Sequence, residues 1–110
     1  MITFIYAADS GSTNAVGRTF SDTVYNQVLV ANTENHITIP AQAGKVVFNS
    51  TVDIFVQVGT SSVSASVPAS NVTSGAGCDL NPSIYYLKPT DTTISVISAT
   101  AGIVSLNFYL

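Results

Sequence analysis

The residue types that catalyse reactions are sparse in this chain, and their spacing matches no catalytic motif. His36 is the only histidine, and it lies beside Asn35 with no second imidazole to complete a metal site. Serines are numerous, but none lies in the G-x-S-x-G turn that lifts a nucleophile out of a hydrolase sheet. Cys78 is the only cysteine, which excludes an intramolecular disulfide and a cysteine metal cluster. We therefore expect no catalytic residues, and we expect His36 to donate a hydrogen bond to a backbone carbonyl at a strand edge.

The acidic residues are the other groups that could do chemistry, as paired carboxylates for general acid and base work. There are six of them: Asp9, Asp22, Glu34, Asp53, Asp79 and Asp91. Most lie at predicted turns or strand boundaries, where an aspartate commonly bonds the backbone two residues on. Asp79 could be a calcium ligand, but one carboxylate is too few for a calcium site, which needs several oxygen ligands. Gly75-Ala76-Gly77 lacks the lysine and the following helix of a phosphate loop. We expect no metal site and no cofactor.

Aromatic side chains are the best candidates for contact with a partner. Tyr85 and Tyr86 are adjacent, so in a strand they face opposite ways and one of them points outward. Aromatic residues are enriched at the centres of protein interfaces. The alternative is a partly buried tyrosine whose hydroxyl contacts water. We expect most phenylalanines in the core, and the candidate interface residues are Phe4, Tyr6, Phe20, Tyr25, Tyr85 and Tyr86.

The composition favours a structural or adhesive module over an enzyme. Only 8% of the 110 residues are charged and 46% are hydrophobic, whereas about a quarter of an average domain is charged. A freely diffusing monomer usually uses charge to stay apart from its copies, so we expect this surface to be covered by protein, including copies of the chain in a homo-oligomer. The three cations, Arg18, Lys45 and Lys88, are scattered and the net charge is −3, which argues against nucleic acid. No apolar run approaches the roughly 18 residues of a membrane-spanning helix.

The hydrophobic pattern predicts the elements that position these residues. Apolar side chains alternate with a period of two, and no stretch keeps helical spacing over several turns. In the last run, Val104, Leu106 and Phe108 share one face, and Ser105, Asn107 and Tyr109 share the other. The sequence predicts one all-β domain over residues 1–110, an antiparallel two-sheet sandwich that resembles a jelly roll, with eight or nine short strands. The predicted strands are Ile2–Tyr6, Val24–Ala31, His36–Ile39, Lys45–Asn49, Asp53–Gly59, Val63–Val67, Ile84–Lys88, Thr93–Ser98 and Val104–Tyr109.

Three connections carry further expectations. Pro40 to Gly44 is predicted to make a tight reversal. Asn71–Pro82 is a long irregular stretch, which makes it either mobile or functional. Ala7–Asp22, rich in Ser, Gly, Thr and Ala, is either a surface loop or a hinge that lets the first strand pair elsewhere, so residues 1–22 could form an extended arm. Residues 1–8 lack a basic region, so we expect a strand there and not a signal peptide.

The segment from His36 to Tyr109 resembles a family of small virion proteins of tailed bacteriophages. The order and spacing of several strand-and-turn pieces carry the resemblance. They are Ile37-Thr38-Ile39-Pro40-Ala41, Val46-Val47-Phe48, Asp53-Ile54-Phe55-Val56-Gln57-Val58-Gly59, Val67-Pro68-Ala69, Gly75 to Pro82 with Leu80-Asn81-Pro82, and Thr93-Ile94-Ser95-Val96-Ile97-Ser98. Similar phage proteins often carry basic residues before the leucine at position 87, where this chain has Tyr85-Tyr86. Residues 1–35 show no such match.

The resemblance implies a capsid decoration, or cement, protein made in the bacterial host and bound to the outer capsid surface of the virion. Its partner would be the major capsid protein, and it would staple neighbouring copies together. A clamp that touches several subunits at once benefits from a high effective concentration. The alternative is a receptor- or glycan-binding module of a phage fibre or tail, because jelly rolls host many lectins and loop Ser, Asn and Tyr suit sugars. An enzyme would need His36 and an acid, or two acids, to converge in a pocket.

Overall fold

The regular structure of this protein consists of β-strands. The computed structural model describes residues 1–4, 6–8 and 15–110, with residues 6–8 and 15–18 described as backbone only. The strands in these ranges are β1 (Tyr6–Ala8), β2 (Ala15–Arg18), β3 (Thr23–Leu29), β4 (Asn35–Thr38), β5 (Lys45–Ser50), β6 (Phe55–Gly59), β7 (Asp79–Leu80), β8 (Ile84–Tyr86), β9 (Thr93–Ile97) and β10 (Gly102–Tyr109). The described ranges contain no helix, so the predicted all-β class is confirmed.

Eight of these strands form two antiparallel sheets of four. Sheet I has the order β3-β10-β5-β8 and sheet II has the order β4-β9-β6-β7. The pairings are nested: β3 pairs with β10, β4 with β9, β5 with β8 and β6 with β7. Two further pairings, β10 with β5 and β9 with β6, close each sheet across the middle. The first four of these strands, β3 to β6, therefore pair in reverse order with the last four, β7 to β10, and each sheet contains two strands from each group.

The core lies between the two sheets and follows the predicted alternation. Val104, Leu106 and Phe108 of β10 are fully buried and face into the sandwich. They meet side chains of sheet II that include Ile94 and Val96 of β9. Fully burying a side chain of this size contributes about 1.5–3 kcal/mol, so these central strands are the main source of stability.

Residues 60–78 cover the outer face of sheet II. The Ala65 amide donates a 2.8 Å hydrogen bond to Ser95 Oγ, and Gln57 Nε2 donates to the carbonyl of Ala76 at 3.2 Å. The predicted strand Val63–Val67 is wrong: alternate residues do turn inward, and Ala65 is 3% exposed, but this stretch pairs with no strand of the described chain. Its alternation reflects packing on the sheet face and not hydrogen bonding in a ladder. The predicted irregular stretch Asn71–Pro82 contains β7, so it is partly regular.

The N-terminal region also departs from the prediction. Residues 1–4 are not a strand. The first strand of the described ranges is β1, which shares only Tyr6 with the predicted strand Ile2–Tyr6. It pairs antiparallel with β2, which lies in the stretch Ala7–Asp22 that was predicted as a loop or hinge. Small residues such as Ala and Gly gave this hairpin little hydrophobic signal. The predicted reversal at Pro40 is confirmed, because the Ala43 amide donates to the Pro40 carbonyl at 3.2 Å and Gln42 has a positive φ of 72°.

Candidate interaction surface

The outer face of sheet I is open at β3 and at the start of β10, although Val47 and Tyr109, on the same face, are buried. The outer face of sheet II is covered at its central strand β9. Thr93, Ser95 and Ile97, on the outer side of β9, are 8%, 0% and 9% exposed. On the outer side of sheet I, by contrast, Val28 of β3 is 65% exposed and Ile103 of β10 is 46% exposed. Those two residues lie directly opposite each other across the strand pair, so they form one continuous apolar patch.

The open face consists of Val24, Asn26 and Val28 on β3 with Ile103 and Ser105 on β10. None of these five side chains is charged. Asn26 lies opposite Ser105, and Ser105 lies opposite Asn49 of β5, so the middle row is made of amides and a hydroxyl. Such a face presents apolar groups and hydrogen-bonding groups without the desolvation cost of a buried charge. Apolar side chains mixed with uncharged hydrogen-bonding groups are of the kind found at protein interfaces.

An N-terminal strap, residues 1–4 together with residues 19–22, closes one end of the same sheet. The Phe4 ring packs edge-to-face on Tyr109 with centroids 5.0 Å apart, and Tyr109 Oη donates to the carbonyl of Thr19 at 2.7 Å. The Leu110 amide donates to the Ile2 carbonyl at 2.9 Å. Tyr109 therefore points outward from sheet I, as the alternation predicts, yet it is fully buried. Since the hairpin β1–β2 lies between the two parts of the strap, it leaves and rejoins the sandwich at this end.

The structure separates the candidate aromatic residues into exposed and packed groups. Phe20 is 94% exposed and Tyr86 is 81% exposed, so both are available to a partner. Tyr85 faces inward, with its ring 6.3 Å from that of Phe48, and burial, together with nearby Asp79, raises the pKa of its hydroxyl. The adjacent tyrosines therefore do face opposite ways.

The other three candidates have structural or edge positions. Phe4 belongs to the strap, and its ring lies 5.9 Å from Lys45 Nζ, which also lies 5.5 Å from the Tyr86 ring. Tyr25 is 40% exposed at the edge of sheet I and packs against Phe108, centroid to centroid 5.2 Å. The side chain of Tyr6 lies outside the described residues.

Sequence reasoning missed the aliphatic members of the open face. The available signal was in β3, where Val24 and Val28 alternate with Tyr25 and Leu29, so that apolar residues occupy both faces of the strand. A strand that is apolar on both faces indicates burial on both faces. In β3 only the inner face meets the core of this chain, since Leu29 is 1% exposed and Val28 is 65% exposed.

His36 meets an acid, but not in the arrangement of a nucleophilic triad. His36 Nε2 lies 3.1 Å from Glu34 Oε1, so its partner is a carboxylate and not the predicted backbone carbonyl. Ser95 Oγ donates to Glu34 Oε2 at 2.6 Å and is fully buried. The hydroxyls of Ser95 and Ser64, with His36 contributing, lower the pKa of Glu34. The serine proton is directed at the acid and away from the imidazole, so this cluster joins β4 to β9 instead of activating a nucleophile.

A polar groove opens at one end of the sandwich. It encloses about 630 Å³. Its lining residues are Phe48, Asn49, Ser50, Thr51, Val52, Asp53, Asn81, Pro82, Ser83 and Thr100. Asn81 has a structural role, because its Oδ1 accepts from the Ile54 amide and its Nδ2 donates to Asp53 Oδ1, both at 2.9 Å. The remaining amide and hydroxyl groups have the chemistry that binds sugar hydroxyls. Among the described residues, no three His, Cys, Asp or Glu side chains come together as metal ligands.

No family model, no curated protein and no solved structure matches this chain. The described part of the chain has no helix that is long and apolar enough to cross a membrane. The open face, the strap with its hairpin, and the polar groove are therefore the three features from which a function can be inferred.

Proposed function

We propose that this protein is a capsid decoration protein of a tailed bacteriophage, which binds the outer surface of the head and bridges neighbouring major capsid proteins. The open face carries the proposal. This patch is uncharged and has exposed valine and isoleucine side chains. On the other sheet of the same protein, residues 60–78 cover the outer face. Exposed apolar surface of this kind marks a contact with another protein.

The size of the open face fits a clamp that makes several modest contacts. Val24, Val28 and Ile103 of the open face, together with Val30, the residue that follows β3, are between 45% and 65% exposed. Fully burying one such side chain contributes about 1.5–3 kcal/mol, so covering the remaining exposed half of all four supplies about 3–6 kcal/mol. A micromolar complex requires about 8 kcal/mol. One open face is therefore too weak alone, whereas a molecule that holds two or more subunits gains up to about 10²–10⁴ in avidity.

The fold and the sequence resemblance support the same proposal. The nested pairings of β3 with β10 through β6 with β7 are those of a hairpin ribbon rolled into two layers, from which we infer a jelly roll. The resemblance of residues 36–109 to small virion proteins covers β4 to β10. The region without that resemblance, residues 1–35, holds the hairpin and the exposed Phe20 ring, which suit a second contact beside the open face.

A pair of matched substitutions tests the open face. Ile103→Lys places a charge at its centre, and Val72→Lys is the control, because Val72 is 50% exposed, close to the 46% of Ile103, but belongs to the segment that covers sheet II. Purified variants are added to undecorated heads of the phage that encodes the chain, and occupancy is measured by sedimentation and by cryo-microscopy. We expect at least a tenfold loss for Ile103→Lys and none for Val72→Lys. Wild-type protein that does not bind heads, or Ile103→Lys that binds as well as wild type, contradicts the proposal.

The polar groove favours a second candidate, a glycan-binding module of a fibre or tail. Asn49, Ser83 and Thr100 line it with one amide and two hydroxyls. A glycan array probed with the wild-type protein, combined with localisation in the virion, separates the two functions. Strong sugar binding that is lost in Asn49→Ala, by a protein absent from the head, supports the fibre or tail role and overturns the capsid role.

A further inference from the structure

Among the residues that the structure describes, nothing pairs with the outer edge of strand β3. It has seven residues, Thr23–Leu29, and within the described chain it pairs only with β10. The other edge strands are short: β8 has three residues, β4 has four and β7 has two. Proteins usually protect a long edge with lysine, proline or a bulge. The run from Thr23 to Val30 contains no charged residue and no proline, and its register with β10 is continuous.

The hydrogen-bond pattern identifies the backbone groups that β3 presents outward. On the β5 side of β10, the Thr51 amide donates to the Ile103 carbonyl at 3.0 Å. Because these groups alternate in direction along a strand, residues 104, 106 and 108 face β3. Their partners on β3 are Gln27, Tyr25 and Thr23. The amides and carbonyls of Val24, Asn26 and Val28 therefore point away from the sheet, along the open edge.

We propose that two copies of this chain pair through β3, antiparallel, about a two-fold axis at Asn26. Asn26 is the middle residue of Thr23–Leu29, so this register overlaps the two strands over their full length. It places Asn26 opposite Asn26 of the second copy and Val24 opposite Val28. Each of those residues offers an outward amide and carbonyl, which is what an antiparallel hydrogen-bonded pair requires. The Val28 carbonyl accepts from Gln27 Nε2 at 2.9 Å, and its second lone pair can accept the new bond.

The side chains along β3 match themselves in this register. On the outer side, the two Val24–Val28 pairs bring β-branched residues together, the kind of cross-strand pair that stabilises sheets. On the inner side, Tyr25 lies opposite Gln27, which covers the 40% of Tyr25 that is exposed at the edge. No charge opposes a like charge within the paired segment. The edge is therefore complementary to a second copy of itself.

The pairing joins two open faces. A two-fold axis perpendicular to the sheet keeps the outer faces on the same side, so sheet I becomes an eight-stranded sheet with Val28 and Ile103 of both copies on one surface. The dimer therefore offers the Ile103 regions of both copies to a partner on one side. The dimer does not depend on capsid binding, because it uses the edge of β3 and not the face centred on Ile103.

A charge-exchange experiment tests the register. In Asn26→Lys or Asn26→Asp homodimers, two like charges face each other on directly opposite residues, whose Cβ atoms lie about 5 Å apart. An equimolar mixture of the two variants instead places opposite charges across the axis. Sedimentation equilibrium over a wide concentration range reports the mass, relative to the 11.4 kDa chain. Thr38→Lys and Thr38→Asp, at an exposed position on the edge strand β4, are the controls, and circular dichroism checks that every variant is folded.

We expect wild type and both Thr38 variants to approach twice the chain mass as the concentration rises. Each Asn26 variant should stay a monomer under the same conditions, and their mixture should recover the dimer. Hydrogen exchange gives a second readout: the Val24, Asn26 and Val28 amides should be protected in concentrated wild type and exposed after dilution. A wild type that stays monomeric or forms trimers overturns the pairing. So does an Asn26 variant that dimerises like wild type, or a mixture that stays monomeric. None of these results bears on whether the Ile103 face binds heads.

Discussion

Tyr109 and Tyr86 provide a direct test of the N-terminal strap, because both face outward from sheet I and only one of them is covered. Tyr109 is fully buried beneath Phe4, whereas Tyr86 is 81% exposed. Replacing each with alanine removes the same atoms from the same side of the sheet. The difference in unfolding free energy between the two variants therefore measures the contribution of the strap and its packing.

The structure sets the magnitude for Tyr109. Truncation of a buried aromatic side chain costs about 3–5 kcal/mol, which includes about 0.5–1.5 kcal/mol from the edge-to-face contact with Phe4. Tyr109→Phe keeps the ring but removes the 2.7 Å hydrogen bond to the Thr19 carbonyl, and we expect it to cost about 1 kcal/mol. Tyr86→Ala loses mainly the exposed contact with Lys45, 5.5 Å from the ring centroid, so we expect a cost of about 0.5–1 kcal/mol.

Urea unfolding followed by circular dichroism measures these differences, because the chain has no tryptophan to report by fluorescence. Total stability in domains of this kind is about 5–15 kcal/mol, so Tyr109→Ala removes a large part of it. Thermal melts should agree, at about 4 °C for each kcal/mol. Equal m-values across the series are needed to attribute the change to the folded state. If Tyr109→Ala costs less than about 1 kcal/mol, or no more than Tyr86→Ala, the strap does not pack on sheet I in solution.

Four further predictions follow from individual contacts. Glu34→Gln should lower the free energy of unfolding at neutral pH, because hydrogen bonds from Ser95 and Ser64 stabilise the charged carboxylate and lower the pKa of Glu34 from its usual 4.5. The difference in unfolding free energy between wild type and variant should be fully present above pH 4.5 and should vanish as the pH falls through the lowered pKa. Urea titrations between pH 7 and about pH 3 measure this difference. Gly102→Ala should cost about 1–3 kcal/mol, because its Cβ would lie 2.7 Å from Thr51 Oγ1 and from Val52 Cγ2, whereas Gly77→Ala, whose Cβ meets its nearest atom at 3.9 Å, should be neutral in the same melts. Asn81→Ala should cost about 1–3 kcal/mol, since the Ile54 amide and Asp53 Oδ1 both lose their partner; unfolding by urea measures the loss, and a neutral result would mean that water replaces both bonds. Phe20→Ser should change stability by less than about 0.5 kcal/mol, because the ring is 94% exposed, but should lower head occupancy if the strap region touches the capsid.

The sequence determined the fold class because period-two alternation survives in the strands that matter most. Val104, Leu106 and Phe108 predict a buried face in β10, and all three are fully buried. The same reasoning failed at Val63–Val67, which alternates but pairs with no strand of the described chain. Alternation indicates which side chains turn inward. The same alternation is needed in a strand that is hydrogen-bonded in a sheet and in an extended segment that only packs on the face of a sheet.

Much less of the candidate surface could be predicted. Adjacency alone places Tyr85 and Tyr86 on opposite faces, because successive side chains in a strand must alternate. Nothing local distinguishes Tyr109, which is covered by Phe4 from the other end of the chain, from Tyr86, which is open. Composition showed that the exterior is poor in charge, but which exterior is covered depends on where distant segments pack.

Local pattern and composition therefore determined most of the strands, the inward residues of the core and an exterior that is poor in charge. Only the tertiary structure decided that residues 60–78 cover sheet II, that the strap covers Tyr109, and that Val28 and Ile103 remain open beside an unprotected β3 edge. The physical reason is that the direction of a side chain is set by its own backbone, whereas its exposure is set by contacts between segments far apart in the chain.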